Sequence, residues 1–393
     1  MKNQLLKTQQ SKISQTPRIA WLLPSMEGGS YWHPLFKEFT QILPDTIIYT
    51  GFWSGFAPGY EGSFNVKIVG TTTFVSTTKL EVGYSRGFIR ASPAIINHLL
   101  RNRPNIIFAN GFSVWTILAI LLKPFTNWRV IIAVEGSSPN VDYRNSKIRL
   151  LMRRYMTKLA DGLITNNNAG KTYLTNILNV PKNKIFARPY EVPTSKAMSN
   201  YSENIESHSQ QAKKFTFLFV GQLIPRKGLH LLLKACNILQ QKGCREYKLM
   251  VIGQGSSQKE LQTLSQEYKL EENIEWIGWV DYNRIGEYFQ QADVFILPTL
   301  EDTWGMVVLE SMSFGKPVLC SKWAGASELV EEGTNGYIFD PHFPEEVADA
   351  MYKLLSNPDL TAAMGKKSQQ IIAEHNPEAA AKYIADVINL IMN

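Results

Sequence analysis

The chain has 393 residues, 44% hydrophobic and 19% charged, which is the composition of a globular protein of two or three domains and leaves ample apolar material for a core. The longest apolar run, Val114 to Leu122 extended by Pro124 and Phe125, is too short for the roughly 20 residues that cross a bilayer and reads as a buried helix. The formal charge of +7 divides unevenly: residues 1–194 hold 23 basic against 9 acidic side chains, +14, and residues 195–393 hold 18 against 25, −7, so a basic half that could face an anionic partner is joined to an acidic one.

Residues 1–17, polar and basic, are expected to be a flexible tail without a signal-like apolar stretch. A first domain follows over 18–194. Strands are expected at Arg18 to Leu23, Thr46 to Thr50, Val66 to Val69, Asn105 to Ala109, Arg129 to Val134 and Gly162 to Thr165. The aromatic, Gly-rich stretch Gly51 to Phe64 reads as a loop. After the first strand, Gly28 and Gly29 precede a helix near Trp32, and paired glycines there either let a ligand approach the backbone or make a simple tight turn. The strand VIIAV ends at Glu135 and Gly136. Ser146 to Leu159 is a basic amphipathic helix in which Lys147, Arg149, Arg153, Arg154 and Lys158 alternate with apolar residues. Two alternatives stand for it: contact with an anionic membrane or lipid-linked acceptor, or an apolar face covering the sheet with its cations in water.

Residues 195–214, rich in Ser, Gln and Asn, read as a linker. In 215–376 the runs FTFLFV, YKLMVI, IEWIG, VFIL, PVLC and GYIF alternate with helical patterns, including helices near Leu229 to Gln240 and Gln258 to Leu270. Such βα repeats imply a parallel, doubly wound sheet, which binds ligands beyond the carboxyl ends of its strands. Three loops at those ends draw interest. Gly221 to Gly228 carries Arg226 and Lys227, a pair that could neutralise a diphosphate or be an ordinary solvated pair. Gly253 and Gly255 form a lone G-x-G without the third glycine of a dinucleotide fingerprint. At Gly278, Trp279 and Val280 backbone groups could read a base edge, or Trp279 could be packing.

The fullest signal is LPTLEDTWGMVVLESMSFGKPVLCS, Leu297 to Ser321, a strand, loop, helix, strand sequence. Asp302 precedes the helix start and Glu310 lies inside it. The helix N-terminus, with Thr303, Trp304, Gly305, Met306 and Val307, suits a phosphate. Glu310 lies about 8 Å further along the axis, within reach of a ribose. Residues 377–393 form a last amphipathic helix, and periodicity leaves open whether it stays with the second domain or crosses back to the first.

Taken together, these motifs resemble retaining glycosyltransferases of the GT4 family. That family is an α/β, GT-B architecture in which two Rossmann-like doubly wound domains face each other across a cleft. The family's G-x-L-x-x-x-K-G loop is matched by Gly221 to Gly228, and its E-x7-E signature by Asp302 to Glu310, with G-x-P-V following. The resemblance implies a retaining, metal-independent transfer of sugar from a nucleotide-diphosphate sugar to an acceptor hydroxyl on a glycan or lipid-linked polysaccharide precursor. The sugar nucleotide is then a co-substrate, and no cofactor is called for. By position, Glu310 would hold the ribose and Asp302 the donor-sugar hydroxyls. Arg226 and Lys227 would stabilise the leaving diphosphate, with Gly28 and Gly29 passing beneath it.

Three positions depart from the pattern: Asp302 replaces the first Glu although Glu301 adjoins it, Gln222 stands where a basic residue is common, and Glu135 occupies a place where His is common. Glu135 is either an acid that stabilises charge at the anomeric carbon or a structural carboxylate. These departures also admit a catalytically inactive sugar-nucleotide binding or scaffold protein of the same fold. A nicotinamide oxidoreductase lacks its fingerprint, and a nucleic-acid binder leaves the second domain unexplained. Three scattered cysteines, Cys236, Cys244 and Cys320, and six dispersed histidines point to a reducing, cytoplasmic setting without a metal site, with peripheral membrane contact as an option.

Overall fold

The structure is a computed structural model that describes residues 16–25, 31–79, 85–198 and 214–393. In chain order the first half comprises β1 (Ile19–Leu22), α1 (Trp32–Ile42), β2 (Thr46–Thr50), β3 (Asn65–Ile68), β4 (Thr73–Lys79), β5 (Ser85–Arg90), α2 (Ile95–Asn102) and β6 (Ile106–Asn110). It continues through α3 (Val114–Leu122), β7 (Arg129–Val134), α4 (Lys147–Leu159), β8 (Gly162–Thr165), α5 (Asn168–Thr172), β9 (Ile185–Ala187) and α6 (Ser195–Met198). Its seven-stranded sheet runs β3-β2-β1-β6-β7-β8-β9, all parallel. Among the described residues β4 and β5 pair with each other alone, as an antiparallel hairpin outside that sheet.

The second half comprises β10 (Phe215–Val220), α7 (Leu229–Gln241), β11 (Tyr247–Ile252), α8 (Gln258–Glu267), β12 (Ile274–Gly278), α9 (Ile285–Gln291) and β13 (Val294–Leu297). After these come α10 (Met306–Ser313), β14 (Val318–Ser321), β15 (Gly336–Phe339), α11 (Pro344–Leu355), α12 (Pro358–Ile372) and α13 (Pro377–Met392). The parallel order is β12-β11-β10-β13-β14-β15. Strands β1, β8, β13 and β14 are buried along their whole length, as a sheet covered on both faces requires.

One face of each sheet has its own core, built around Trp115 and Ile132 in the first and Leu232 and Met351 in the second. The other two faces merge: Trp21, Trp32 and Phe36 belong to the same apolar cluster as Phe295, Val308 and Ile384. The last helix closes this seam. Asn376 caps it by accepting from the Ala379 N–H at 2.8 Å, and Pro377 fixes its first turn. From there α13 packs along α1, and Ile391 reaches Gly162 of β8, where a Cβ would lie 2.5 Å from its Cδ1. The alternation of apolar residues required a buried face but could not name the surface that covers it; that surface is the first domain.

The stretch read as a linker begins with one helical turn, α6, whose Met198 is fully buried in the shared cluster. Its residues 199–213 lie outside the described residues. The hairpin β4–β5 and the edge strand β9 were not expected. The hairpin is rich in Thr and Ser and the edge strand is only three residues long, so neither shows the apolar run by which strands were recognised.

Candidate functional site

Glycines weld the second domain's loops together at the carboxyl edge of its sheet. Gly228 adopts φ +69 at the start of α7, and a Cβ there would sit 1.9 Å from the Pro298 carbonyl. Gly253 has φ +135, and a Cβ there would meet the Gly221 carbonyl at 1.9 Å. Only glycine permits these approaches. The phosphate-type loop is bonded onto the loop after β13: Leu300 N–H and Thr299 Oγ1 both donate to the Arg226 carbonyl, at 2.8 and 3.1 Å.

This packing brings three charged residues into one cluster. Lys227 Nζ donates to Asp302 Oδ2 at 2.5 Å, Arg226 approaches the same oxygen at 3.8 Å, and Arg226 also donates to the Glu301 carbonyl at 3.0 Å. Each of the three side chains is less than 15% exposed. The sequence reading gave the cations to a diphosphate and the acid to a sugar; the fold joins them as an ion pair. The structure also distinguishes the neighbouring acids. Glu301 turns to the first domain, where its carboxylate accepts from Asn140 N–H at 2.9 Å and Asn140 Nδ2 at 2.6 Å.

Gly305, at φ +92, is the N-cap of α10, so Met306 and Val307 open that helix toward the same space. Glu310, one and a half turns on, is 6% exposed and lies beside Tyr282. Burial pushes its carboxyl up to about 7, against the opposing pull of the Tyr282 hydroxyl. Tyr282 is a residue the sequence reading missed. It lies two residues beyond Val280, in the short turn after β12 that Gly278, at φ +83, redirects. Val280 packs on the core, whereas Trp279 is 64% exposed and so is not the packing residue it could have been.

The first domain closes directly on this cluster. Gly136 abuts Thr303, whose carbonyl would lie 2.1 Å from a Cβ there, and the same carbonyl accepts from Asn167 Nδ2 at 2.8 Å. Asn168 donates to Glu328 from both its backbone and its side chain, and the buried Trp304 indole donates to the Glu191 carbonyl at 3.1 Å. A run of three asparagines directly after a strand, Asn166 to Asn168, was the available signal for this seam. Trp304 therefore ties the domains together through its side chain.

Glu135 directly follows β7 at the same seam. Its side chain is open to solvent, yet protein crowds it densely, a combination that fits the floor of a cleft. Crowding first, and the Asp302 carboxylate second, raise its pKa above the ordinary value. Glu191 is a further missed acid, 5% exposed, raised by burial and then by Glu135. Its Oε1 has no hydrogen-bond partner among the described residues. Gly28 and Gly29 lie outside the described residues.

The basic helix does not match the second alternative. Ile148, Leu151 and Tyr155 are 75%, 70% and 55% exposed, so its apolar stripe does not cover the sheet; only Met156 and Thr157 are buried. Of the five cations proposed for a membrane surface, Arg153 is turned inward: it donates to the Asp142 carbonyl and the Tyr173 hydroxyl, both at 2.7 Å. Arg154 donates to the Ile177 carbonyl at 2.9 Å, while Lys147 and Lys158 stay exposed. Among the described residues no group of three or more His, Cys, Asp or Glu side chains could hold a metal, and no helix is long and apolar enough to cross a membrane.

Residues 200–371 match the sequence pattern of the family described as Glycosyl transferases group 1. The chain is 27% identical over 180 residues to a putative colanic acid biosynthesis glycosyltransferase, WcaL, of Salmonella typhimurium, covering 44% of each protein. It is 28% identical over 197 residues to the amylovoran biosynthesis glycosyltransferase AmsK of Erwinia amylovora, covering 47% of each. The match thus spans a little under half the length of these relatives. Among solved structures it resembles Anabaena Alr3699/HepE in complex with UDP, with a TM-score of 0.75 at 18% identity, covering 95% of this chain and 99% of that one. Residues 200–371 are thus similar to the glycosyl transferases group 1 family, and the two facing sheets have the GT-B fold of the solved glycosyltransferase structures they resemble.

Proposed function

We propose that this protein is a retaining glycosyltransferase of the GT4 subgroup that moves a sugar from a nucleotide-diphosphate sugar to an acceptor hydroxyl in polysaccharide or lipid-linked glycan assembly. The observation that carries this reading is the convergence of Lys227, Arg226 and Asp302 on the opening turn of α10, with the ribose-type carboxyl Glu310 buried behind it. A diphosphate entering this space takes Lys227 as its counter-ion and meets the positive end of α10, so developing leaving-group charge is stabilised without a metal. Asp302, released from Lys227, turns to the hydroxyls of the donor sugar. Gly136, Asn167 and Trp304 hold the domains closed around the bond being broken, which excludes water and favours transfer over hydrolysis. Glu135 faces the same space from the first domain and stabilises positive charge at the anomeric carbon.

A uridine donor is the first to test, because structures similar in fold were solved with UDP and with UDP-glucose. A thermal-shift screen of UDP, GDP and ADP sugars, followed by donor hydrolysis with and without chelator, decides the matter. Stabilisation by a nucleotide sugar with chelator-insensitive hydrolysis supports the proposal; no stabilisation by any of them refutes it.

The acceptor side supports peripheral contact with an anionic membrane. Ile148, Leu151 and Tyr155 project from α4 between Lys147 and Lys158, an apolar stripe flanked by cations. Salt-sensitive cosedimentation with anionic liposomes is expected, and absence of binding at low ionic strength would refute it.

A further inference from the structure

Among the described residues the hairpin β4–β5 pairs with no strand of either sheet, yet side-chain and backbone contacts hold it in place. Tyr143 adopts φ +53, a left-handed conformation that a non-glycine residue holds only under strain. Its hydroxyl donates to the Gly87 carbonyl at 3.3 Å, and Gly87 cannot be enlarged, because a Cβ would lie 2.2 Å from the Val75 carbonyl. What the hairpin covers is a cavity of about 480 Å³ against α3 and α4. Its walls are mainly apolar, among them Phe74, Ile89, Phe112, Ile117 and Met156.

Two arginines face this cavity from α4. Arg153 is part of the wall, fixed by its bonds to Asp142 and Tyr173 and lying over the Phe112 ring at 4.8 Å. Arg149 is different. It lies over the Tyr143 ring at 3.8 Å and makes one long hydrogen bond, 3.5 Å, to the Gly87 carbonyl; among the described residues no carboxylate pairs with it. The cavity also reaches Asn110 and Gly111, at the carboxyl end of β6. In the sheet β6 lies next to β7, the strand that leads to Glu135. The cavity therefore begins beside the cleft and ends next to the exposed apolar stripe of α4.

We infer that this cavity is a binding site for a single-chain anionic amphiphile, with an aliphatic or isoprenoid chain among Phe74, Ile117 and Met156 and a phosphate group at Arg149. Apolar walls with a guanidinium at one end that no carboxylate neutralises among the described residues match that chemistry and match neither a free sugar nor a bare phosphate. As the acceptor-lipid site of the reaction proposed above it rests on that reading; as a binding site it does not.

The test is isothermal titration of the full chain with decyl phosphate below its micelle concentration, beside decanol and inorganic phosphate. Saturable binding of decyl phosphate, at least tenfold tighter than of either fragment, is expected. Arg149→Gln should weaken it about tenfold through loss of a charge-assisted contact. Ile117→Trp, which fills the cavity, should remove it, and Val114→Trp serves as a second filler if the first fails to fold. Unchanged melting and UDP binding in these variants separate loss of the site from loss of the protein. Equal binding of decyl phosphate and decanol, or full binding by a folded filled variant, would overturn the inference. Decyl phosphate binding without any nucleotide binding would leave this site standing and sink the donor reading.

Discussion

Glu310→Gln probes the proposed ribose contact through a proton rather than through simple loss of affinity. Burial raises the Glu310 carboxyl from 4.5 to about 7. A ribose diol donates its hydroxyls, so it prefers the carboxylate; binding then requires the ionised form. With a pKa of about 7, roughly a tenth of the chain is ionised at pH 6 and nine tenths at pH 8. Apparent affinity scales with the competent fraction, so UDP should bind about tenfold more tightly at pH 8 than at pH 6. The Gln variant keeps the shape and loses both the pH dependence and a charge-assisted bond, about 2 kcal/mol at pH 8. Titrating UDP calorimetrically into both proteins at the two pH values cancels the ionisation of UDP itself, which is common to them. The same carboxyl affects folding: its folded pKa lies above its unfolded one, so the stability it confers is complete below about 4.5 and lost as pH rises through about 7, roughly 3 kcal/mol in all. A wild-type affinity no more pH-dependent than that of Glu310→Gln would refute the ribose assignment.

Lys227→Met removes the closest cation from Asp302 and from an incoming diphosphate; donor turnover should fall at least a hundredfold, measured as release of nucleotide, and retention of activity would remove the leaving-group role. Glu135→Gln should lower turnover with little change in UDP affinity, and unchanged turnover would return Glu135 to a structural part. Gly136→Ala forces the Thr303 carbonyl to move, because a Cβ lies 2.1 Å from it; the domains should part, seen as a larger radius of gyration in solution scattering, while an unchanged radius would show that the seam yields locally.

Much of the second domain was legible because its parallel strands are continuous apolar runs and its loops carry glycines and prolines at fixed places. The runs FTFLFV and VFIL fall on β10 and β13 almost to the residue. The first domain's hairpin was not legible, since TFVSTTK and SRGFIR carry no continuous apolar run of the kind that marks the parallel strands, and its strands pair with one another. The site divided in the same way. Gly221 to Gly228 and Asp302 to Glu310 stood out because their geometry is local. Asn140, Asn167, Glu191 and Tyr282 act across the seam or between loops, and no spacing in the chain marks them.

Composition, the βα alternation and two short motifs were enough to determine the class of fold and which loops would carry the charges, because strand burial and turn chemistry are read within a few residues. Only the tertiary structure decided that Lys227 and Asp302 are partners, that Glu301 belongs to the domain seam, that α13 crosses to the first domain and that the apolar stripe of α4 faces outward. Each of these depends on what lies opposite a side chain, and a linear pattern records only that a face is apolar or charged.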